Sequence, residues 1–225
     1  MRQVLIEDFS SEDYRHNPFP SWRQMRDEQP LFYDSVDKRW ILTRYEDVMS
    51  VLRDHTTYST RTYVERFQPI FGRTLAELDG ARHIRERTIV APAFVGKSLI
   101  GYEQFITRSI ERISEKISMH ENIDLVKTVT NILPSTVITA LLGIPENDDD
   151  LVFEIGNTIL AAIGNSPEMV NRGASAHRRF ADYLAPIIAS RRASPTSDLI
   201  SRIVHAESDG QSLTDEEIFS FISFL

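Results

Sequence analysis

The segment Leu213-Thr214-Asp215-Glu216-Glu217-Ile218, with the residues after it, restricts the fold more than any other part of the chain. Thr214 and Glu217 have capping-box spacing, and Leu213 and Ile218 occupy the two positions of a hydrophobic staple, so a helix starts here. Phe219, Phe221, Ile222, Phe224 and Leu225 make that helix apolar on almost every side, with no glycine stop, closing cation or polar tail. Such a helix belongs in the middle of a core. The expectation is an assembly of helices around a central one, with the sequence cut inside it; the alternative is a terminal helix docked across a groove. On the first reading those five side chains, at roughly 1.5–3 kcal/mol each when buried, lack a core to enter, and the chain alone is expected to associate.

Composition narrows the function classes. A chain of 225 residues is long enough to bury roughly 70% of its unfolded surface. With 25 basic and 33 acidic residues the net charge is −8, which disfavours unaided nucleic-acid binding. There is no cysteine, which excludes disulfides, thiolate zinc sites and iron–sulfur clusters from this chain and is compatible with a cytosolic setting. Met1 to Asp13 lacks the apolar run of a signal peptide, and no stretch reaches the roughly eighteen apolar residues of a membrane span. The chain reads as soluble and cytoplasmic.

The pattern predicts mostly helix with one early hairpin. Asn17-Pro18-Phe19-Pro20-Ser21 opens a short helix through Trp22 and Met25 that Pro30 closes. Leu31 to Val36 and Arg39 to Thr43 read as strands joined at Asp37-Lys38. Thr43 to Glu46 has capping-box spacing before a helix burying Val48, Val51 and Leu52. Residues 55–79 read as a long, aromatic-rich loop with at most one helical turn. Ile106, Ile110, Ile113 and Ile117 mark one stripe of a long amphipathic helix, and 121–126 reads as extended. Leu133-Pro134-Ser135 opens a compact helix stopped by Gly143. Acids at 148–150 lead into a helix over 151–163, a longer one runs over 168–192 across Pro186, and 198–207 forms a short one. No linker marks a domain boundary, so 1–225 reads as a single domain.

The candidate site lies in the run Asp79 to Phe94. Read as one helix, it puts His83 and Arg87 on the same face one turn apart. An imidazole beside a guanidinium suits a carboxylate or phosphate, because arginine donates two parallel charge-assisted hydrogen bonds. Val90 and Phe94 continue that face, which gives a pocket wall for a large ligand with acidic groups. The Arg82/Arg85/Arg87 cluster lacks the interleaved aromatics of a nucleic-acid patch. His16, His55, His120, His177 and His205 have no metal-binding spacing and read as surface or core polar residues; Trp22 and Trp40 read as core.

This run resembles the haem-propionate helix of the cytochrome P-450 family, the haem-thiolate monooxygenases of soluble bacterial type. The Asn17-Pro18 opening, the passage Trp40 to Val48, Tyr58-Ser59-Thr60, Ile187 to Arg192, Asp198-Leu199-Ile200 and Leu213 to Ile218 are similar to the family in the same order. The resemblance implies a mainly α fold with a small β-hairpin region, the N-terminal half of that fold ending inside its long central helix, so that 1–225 is an incomplete domain. It implies haem as cofactor, with His83 and Arg87 as cofactor-binding residues and no catalytic or metal-ligating residue in this chain. The family's acid–alcohol pair and its cysteine ligand would lie beyond Leu225. Insertion of one oxygen atom from dioxygen into a small apolar substrate is implied, with electrons from a ferredoxin or flavoprotein partner, and the regions 55–79 and 160–167 in substrate contact. The alternative is a non-catalytic helical protein derived from that fold, binding an acidic apolar ligand or a protein partner.

Overall fold

Pro30 and the Asp34 carboxylate shape the first part of the chain. In the computed structural model, which describes residues 9, 11–118 and 122–225, the chain divides into two compact units, one ending at Ser59 and one covering Thr60–Leu225. The first holds helices α1 (Glu12–His16) and α2 (Phe19–Glu28), strands β1 (Leu31–Asp34) and β2 (Arg39–Leu42), and helix α3 (Tyr45–Arg53). The strands pair antiparallel, Leu31 opposite Leu42 and Asp34 opposite Arg39. Buried Asp34 accepts the Val36 and Asp37 N–H groups at 3.1 and 3.3 Å and Arg39 Nε at 3.2 Å, which closes the turn. The capping box expected at Thr43 does not form. Its hydroxyl donates to the Pro30 carbonyl at 3.3 Å, and Arg44 becomes an N-cap without a side-chain bond. Val48 and Val51 are half-buried, whereas Leu52, one position around the helix, is exposed. The tryptophans are not core either: Trp40 is 65% exposed against Tyr33, and Trp22 donates to the Tyr14 hydroxyl at 2.8 Å.

The second unit begins with a correction. The 55–79 segment contains α4 (Thr62–Phe71), a ten-residue helix, followed by a 3₁₀ turn at Leu75–Glu77. Tyr63, Phe67 and Phe71 recur every fourth residue along one face, Tyr63 stacked on Phe67 at 5.1 Å and Phe67 edge-on to Phe71 at 6.0 Å; Pro69 masks that period in the sequence. Next come α5 (Gly80–Val90) and α6 (Lys97–Ser118). The isoleucine stripe expected to be buried on α6 is partly outside: Ile106 is 39% and Ile110 46% exposed. The inward line is Tyr102, Phe105, Ser109 and Ile113, and Tyr102 lies under the Arg202 guanidinium at 5.4 Å. Of the 121–126 segment, residue 121 lies outside the described residues, as does His120. Val126 is helical, opening a π-turn (Val126–Thr130) closed by Asn131 N–H on the Val126 carbonyl at 3.0 Å.

Helix α7 (Ile132–Leu142) carries Pro134 in its first turn and ends where expected, with Gly143 left-handed at φ 71°. Ile144 N–H returns to the Thr139 carbonyl at 3.0 Å, closing the C-cap. Helices α8 (Asp149–Ala162) and α9 (Pro167–Ala193) run back to back. Their contact requires Gly173, because a Cβ there would overlap the Ala162 methyl, well inside van der Waals contact. Asp198 caps α10 (Leu199–Val204), accepting Ser201 N–H at 2.7 Å. A short hairpin, β3 (Glu207–Ser208) with β4 (Gln211–Ser212), turns at Asp209-Gly210, both at positive φ; this is the Asp-Gly signal of a two-residue turn.

Helix α11 (Asp215–Phe224) shows both bonds of its capping box. Ile218 and Ile222 are buried and Phe219 and Phe221 half-buried, in a core shared with α4, α9 and α10. Of the five side chains expected to lack a core, only Phe224 and Leu225 remain exposed, at 40% and 47%. No helix among the described residues is long and apolar enough to cross a membrane.

Gly143 offers a direct stability test. Gly143→Ala would force a side chain into left-handed backbone and into the Asp198 carboxylate. The expected cost is about 2–4 kcal/mol, read from the urea midpoint. Gly156→Ala, in α8 where nothing lies within 4 Å of the new methyl, is expected to stabilise by about 0.5–1 kcal/mol. Equal midpoints for the two variants would contradict this packing.

Candidate cofactor-anchoring site

Helix α5 is fixed at its start by an unusual use of Asp79. Its carboxylate caps nothing in its own helix but accepts Thr60 N–H at 3.0 Å and the Thr60 hydroxyl at 3.1 Å. Gly80 then enters the helix at φ 57°. The expected single helix to Phe94 stops at Val90, and a 3₁₀ turn, Ala91–Phe94, takes over around Pro92. Within α5, Glu86, Ile89 and Val90 are buried. His83 is half-buried at the edge of that face, and Arg87 is exposed beside Ile84.

His83 and Arg87 thus sit one turn apart on the outward side, and neither has a hydrogen bond or ion pair among the described residues. The continuation of their face expected from the sequence is not a pocket wall. Val90 is in the core, and Phe94 packs edge-on to Phe221 at 6.0 Å. The donor set still fits haem propionates. It comprises a permanent cation with a planar fork and an imidazole, both uncommitted, next to an exposed isoleucine suited to an apolar macrocycle edge. The chain contains no cysteine to ligate iron. Among the described residues, no group of three or more His, Asp or Glu could hold a metal ion.

The inward side of α5 is heavily committed. Arg73 Nη1 donates to Glu86 at 2.7 Å and Nη2 to Glu217 Oε1 at 3.2 Å, while Arg85 Nη2 donates to that same Glu217 oxygen. The second Glu217 oxygen accepts Thr214 N–H at 2.9 Å. Burial pushes the Glu217 carboxyl up, but the Thr214 N–H and the Arg85 and Arg73 charges outweigh it and hold it below the usual range. Ser220 also donates its hydroxyl to the Arg73 carbonyl. These partners escape sequence reading because Arg73 and Glu217 are 144 residues apart.

A second polar island lies where α4, α9 and α11 meet. His177 is buried, with Nε2 3.0 Å from Ser223 Oγ and its ring 5.5 Å from Phe71 and 4.8 Å from Phe219. Burial, helped by Arg178, depresses it to about 4. This is the core polar reading. By contrast, exposed His205 bonds the Arg191 carbonyl at 3.1 Å, and His16 and His55 are exposed. In the 160–167 region Leu160 is exposed and Ala162 buried. A surface hollow of about 720 Å³ between α8 and α9 includes neither His83 nor Arg87 in its lining.

No protein-family model matches the chain. Pulcherriminic acid synthase of Bacillus subtilis is 28% identical over 216 residues, 94% of this chain and 53% of the relative. The structure of the bacillaene polyketide synthase cytochrome P450 PksS of Bacillus subtilis superposes with a TM-score of 0.83 at 28% identity, covering 95% of this chain and 55% of that one. CYP109E1 of Bacillus megaterium, in complex with testosterone, superposes at 0.80 with 27% identity over 92% of this chain and 54% of that one. The chain therefore spans about half the length of the relatives it matches. Over nearly its whole length the chain is thus similar in sequence and in fold to bacterial cytochrome P450s, across about half of their length.

Proposed function

We propose that this chain is the cofactor-anchoring half of a cytoplasmic haem-dependent monooxygenase, the whole of 1–225 belonging to one catalytic domain. The observation that carries the reading is the outward pair His83 and Arg87, one turn apart and left without partners on a helix whose Arg85 and Glu86 are bound inward. Haem held by a cysteine thiolate supplies oxygen insertion from dioxygen. The residues here bind and orient it: Arg87 offers its fork and His83 a ring N–H to the two propionates, which need counter-charges if they are to be buried. The aromatic face of α4 and the segment 160–167 provide part of a wall for a small apolar substrate; the structure of one similar protein is a complex with testosterone. Electrons come from a ferredoxin or flavoprotein. A non-catalytic ligand- or partner-binding protein derived from that fold is the second reading. Translating the DNA beyond Leu225 separates the two: an open frame with a cysteine loop supports the enzyme, a stop codon the binder.

The pair itself is tested in the longest protein that the coding sequence gives. Arg87→Ala is expected to lower haem occupancy per mole of purified protein more than His83→Ala, since arginine keeps its charge and two donors at any pH whereas histidine offers one donor. Full, equal occupancy in both variants would count against the assignment.

A further inference from the structure

The quartet Arg73, Arg85, Glu86 and Glu217 joins three parts of the chain: the loop after α4, the helix α5, and the first turn of α11. Both carboxylates are buried, each side chain at 9% exposure, and the four charges sum to zero. Counted at 100° per residue, Arg85 lies opposite the midline between His83 and Arg87, and Glu86 lies on the buried flank. Arg85 Nη1 also reaches the Ser212 carbonyl at 3.4 Å. Salt bridges thus grip α5 away from the side that carries His83 and Arg87.

We propose that this quartet is a positioning device: it fixes the rotation of α5 about its own axis, and hence where His83 and Arg87 point, with Glu217 as the positioning residue that both arginines share. This rests on the propionate-anchoring reading. The helix needs such a grip because its buried arc is short: apart from Glu86, only Ile89 and Val90 are buried. A turn of about 20° would carry a side chain some 6 Å from the axis through about 2 Å, well beyond the ~0.5 Å tolerance of a built site. Glu217 is suited to the task because its second oxygen is tied to the start of α11 through the capping box. The setting of α5 is thereby referred to the helix in the core.

The chain has no cysteine, so one introduced at Ile84, exposed on α5, takes a nitroxide label uniquely, and one at Leu160, exposed on α8, serves as a control. In the Ile84→Cys chain, Glu217→Gln is expected to add a mobile component to the electron paramagnetic resonance spectrum while the Leu160→Cys spectrum stays unchanged. Gln keeps the size and the bond to Thr214 but loses the charge. Arg85→Met, which leaves Arg73 to pair with Glu217, is expected to shift the label at 84 in the same direction and keeps the test informative if Glu217→Gln does not fold. An unchanged spectrum at 84 in the folded variant, or equal loosening at 84 and 160, overturns the proposal. In the haem-loaded protein, Glu217→Gln is expected to speed haem loss about tenfold, as misplaced binding groups do. If Arg87→Ala loses no haem while the label at 84 still responds, the anchoring reading fails and the grip on α5 stands.

Discussion

The 225-residue chain, loaded with haem, reduced and exposed to carbon monoxide, is expected to show no absorption band of the thiolate type, and no oxygen insertion. A thiolate requires a cysteine, and the chain has none. The side chains left to hold iron, histidine, methionine and tyrosine, each give a different electronic state. Among them His177 is buried against phenylalanines and bonded to Ser223, and His83 is assigned to a propionate. The effect is complete rather than graded, because no geometric adjustment replaces sulfur. The reduced, carbon monoxide-treated spectrum decides it. A thiolate-type band from this chain would sink both the assignment of roles and the reading of α5 as an anchor without chemistry.

Asp198→Ala is expected to be the most damaging single substitution away from the site. Asp198 is buried, caps α10, and pairs with Arg191. Arg191 in turn donates to the Gly143 carbonyl at 3.2 Å, so one carboxylate ties the ends of α7 and α9 to the start of α10. Removing it strands a partly buried guanidinium and a helix N-terminus. Broken buried pairs cost about 3–5 kcal/mol, a large share of the roughly 5–15 kcal/mol by which a domain is stable. Urea denaturation followed by circular dichroism measures it, and a loss below about 1 kcal/mol would contradict the role. The pH dependence gives a second signature. Burial pushes Asp198 up, but the Arg191 bond and the Ser201 N–H outweigh it and hold it below the usual range. Its contribution is present above the unfolded carboxyl value near 3.9 and is lost as pH falls through the lower folded value. His177 acts earlier: held near 4 when folded against about 6.5 unfolded, it destabilises the fold progressively over that interval. The acid limb of the parent therefore has two parts, and Asp198→Ala flattens the lower one.

The elements legible in the sequence were those whose signals are local. The capping box at Thr214, the glycine stop at 143, the hairpin at 31–42 and the long helix across Pro186 depend on residues within a few positions of one another. Failures came where a neighbour distant in sequence decided the outcome. Thr43 has the spacing of a cap yet serves the Pro30 carbonyl. The buried line of α6 is rotated by about one residue from the isoleucine stripe, with Tyr102 on it lying under the distant Arg202. Helix α4 was hidden by Pro69, although its aromatic period was present. At the site the i, i+4 pair of His83 and Arg87 could be read directly. The extent of their face could not, since Pro92 breaks the helix before Phe94.

The reach of the Arg85–Glu217 bond also sets a clock on synthesis. The two residues are 132 positions apart, so during translation at about 5–20 residues per second the anchor helix exists for roughly 7–26 s before its inward partner is made. Through that interval Arg73, Arg85 and Glu86 are a surplus of positive charge on a nascent chain, without the carboxylate that both arginines share in the folded protein. If α5 anchors haem as proposed, loading is expected to wait until α11 has left the ribosome rather than to accompany the folding of α5.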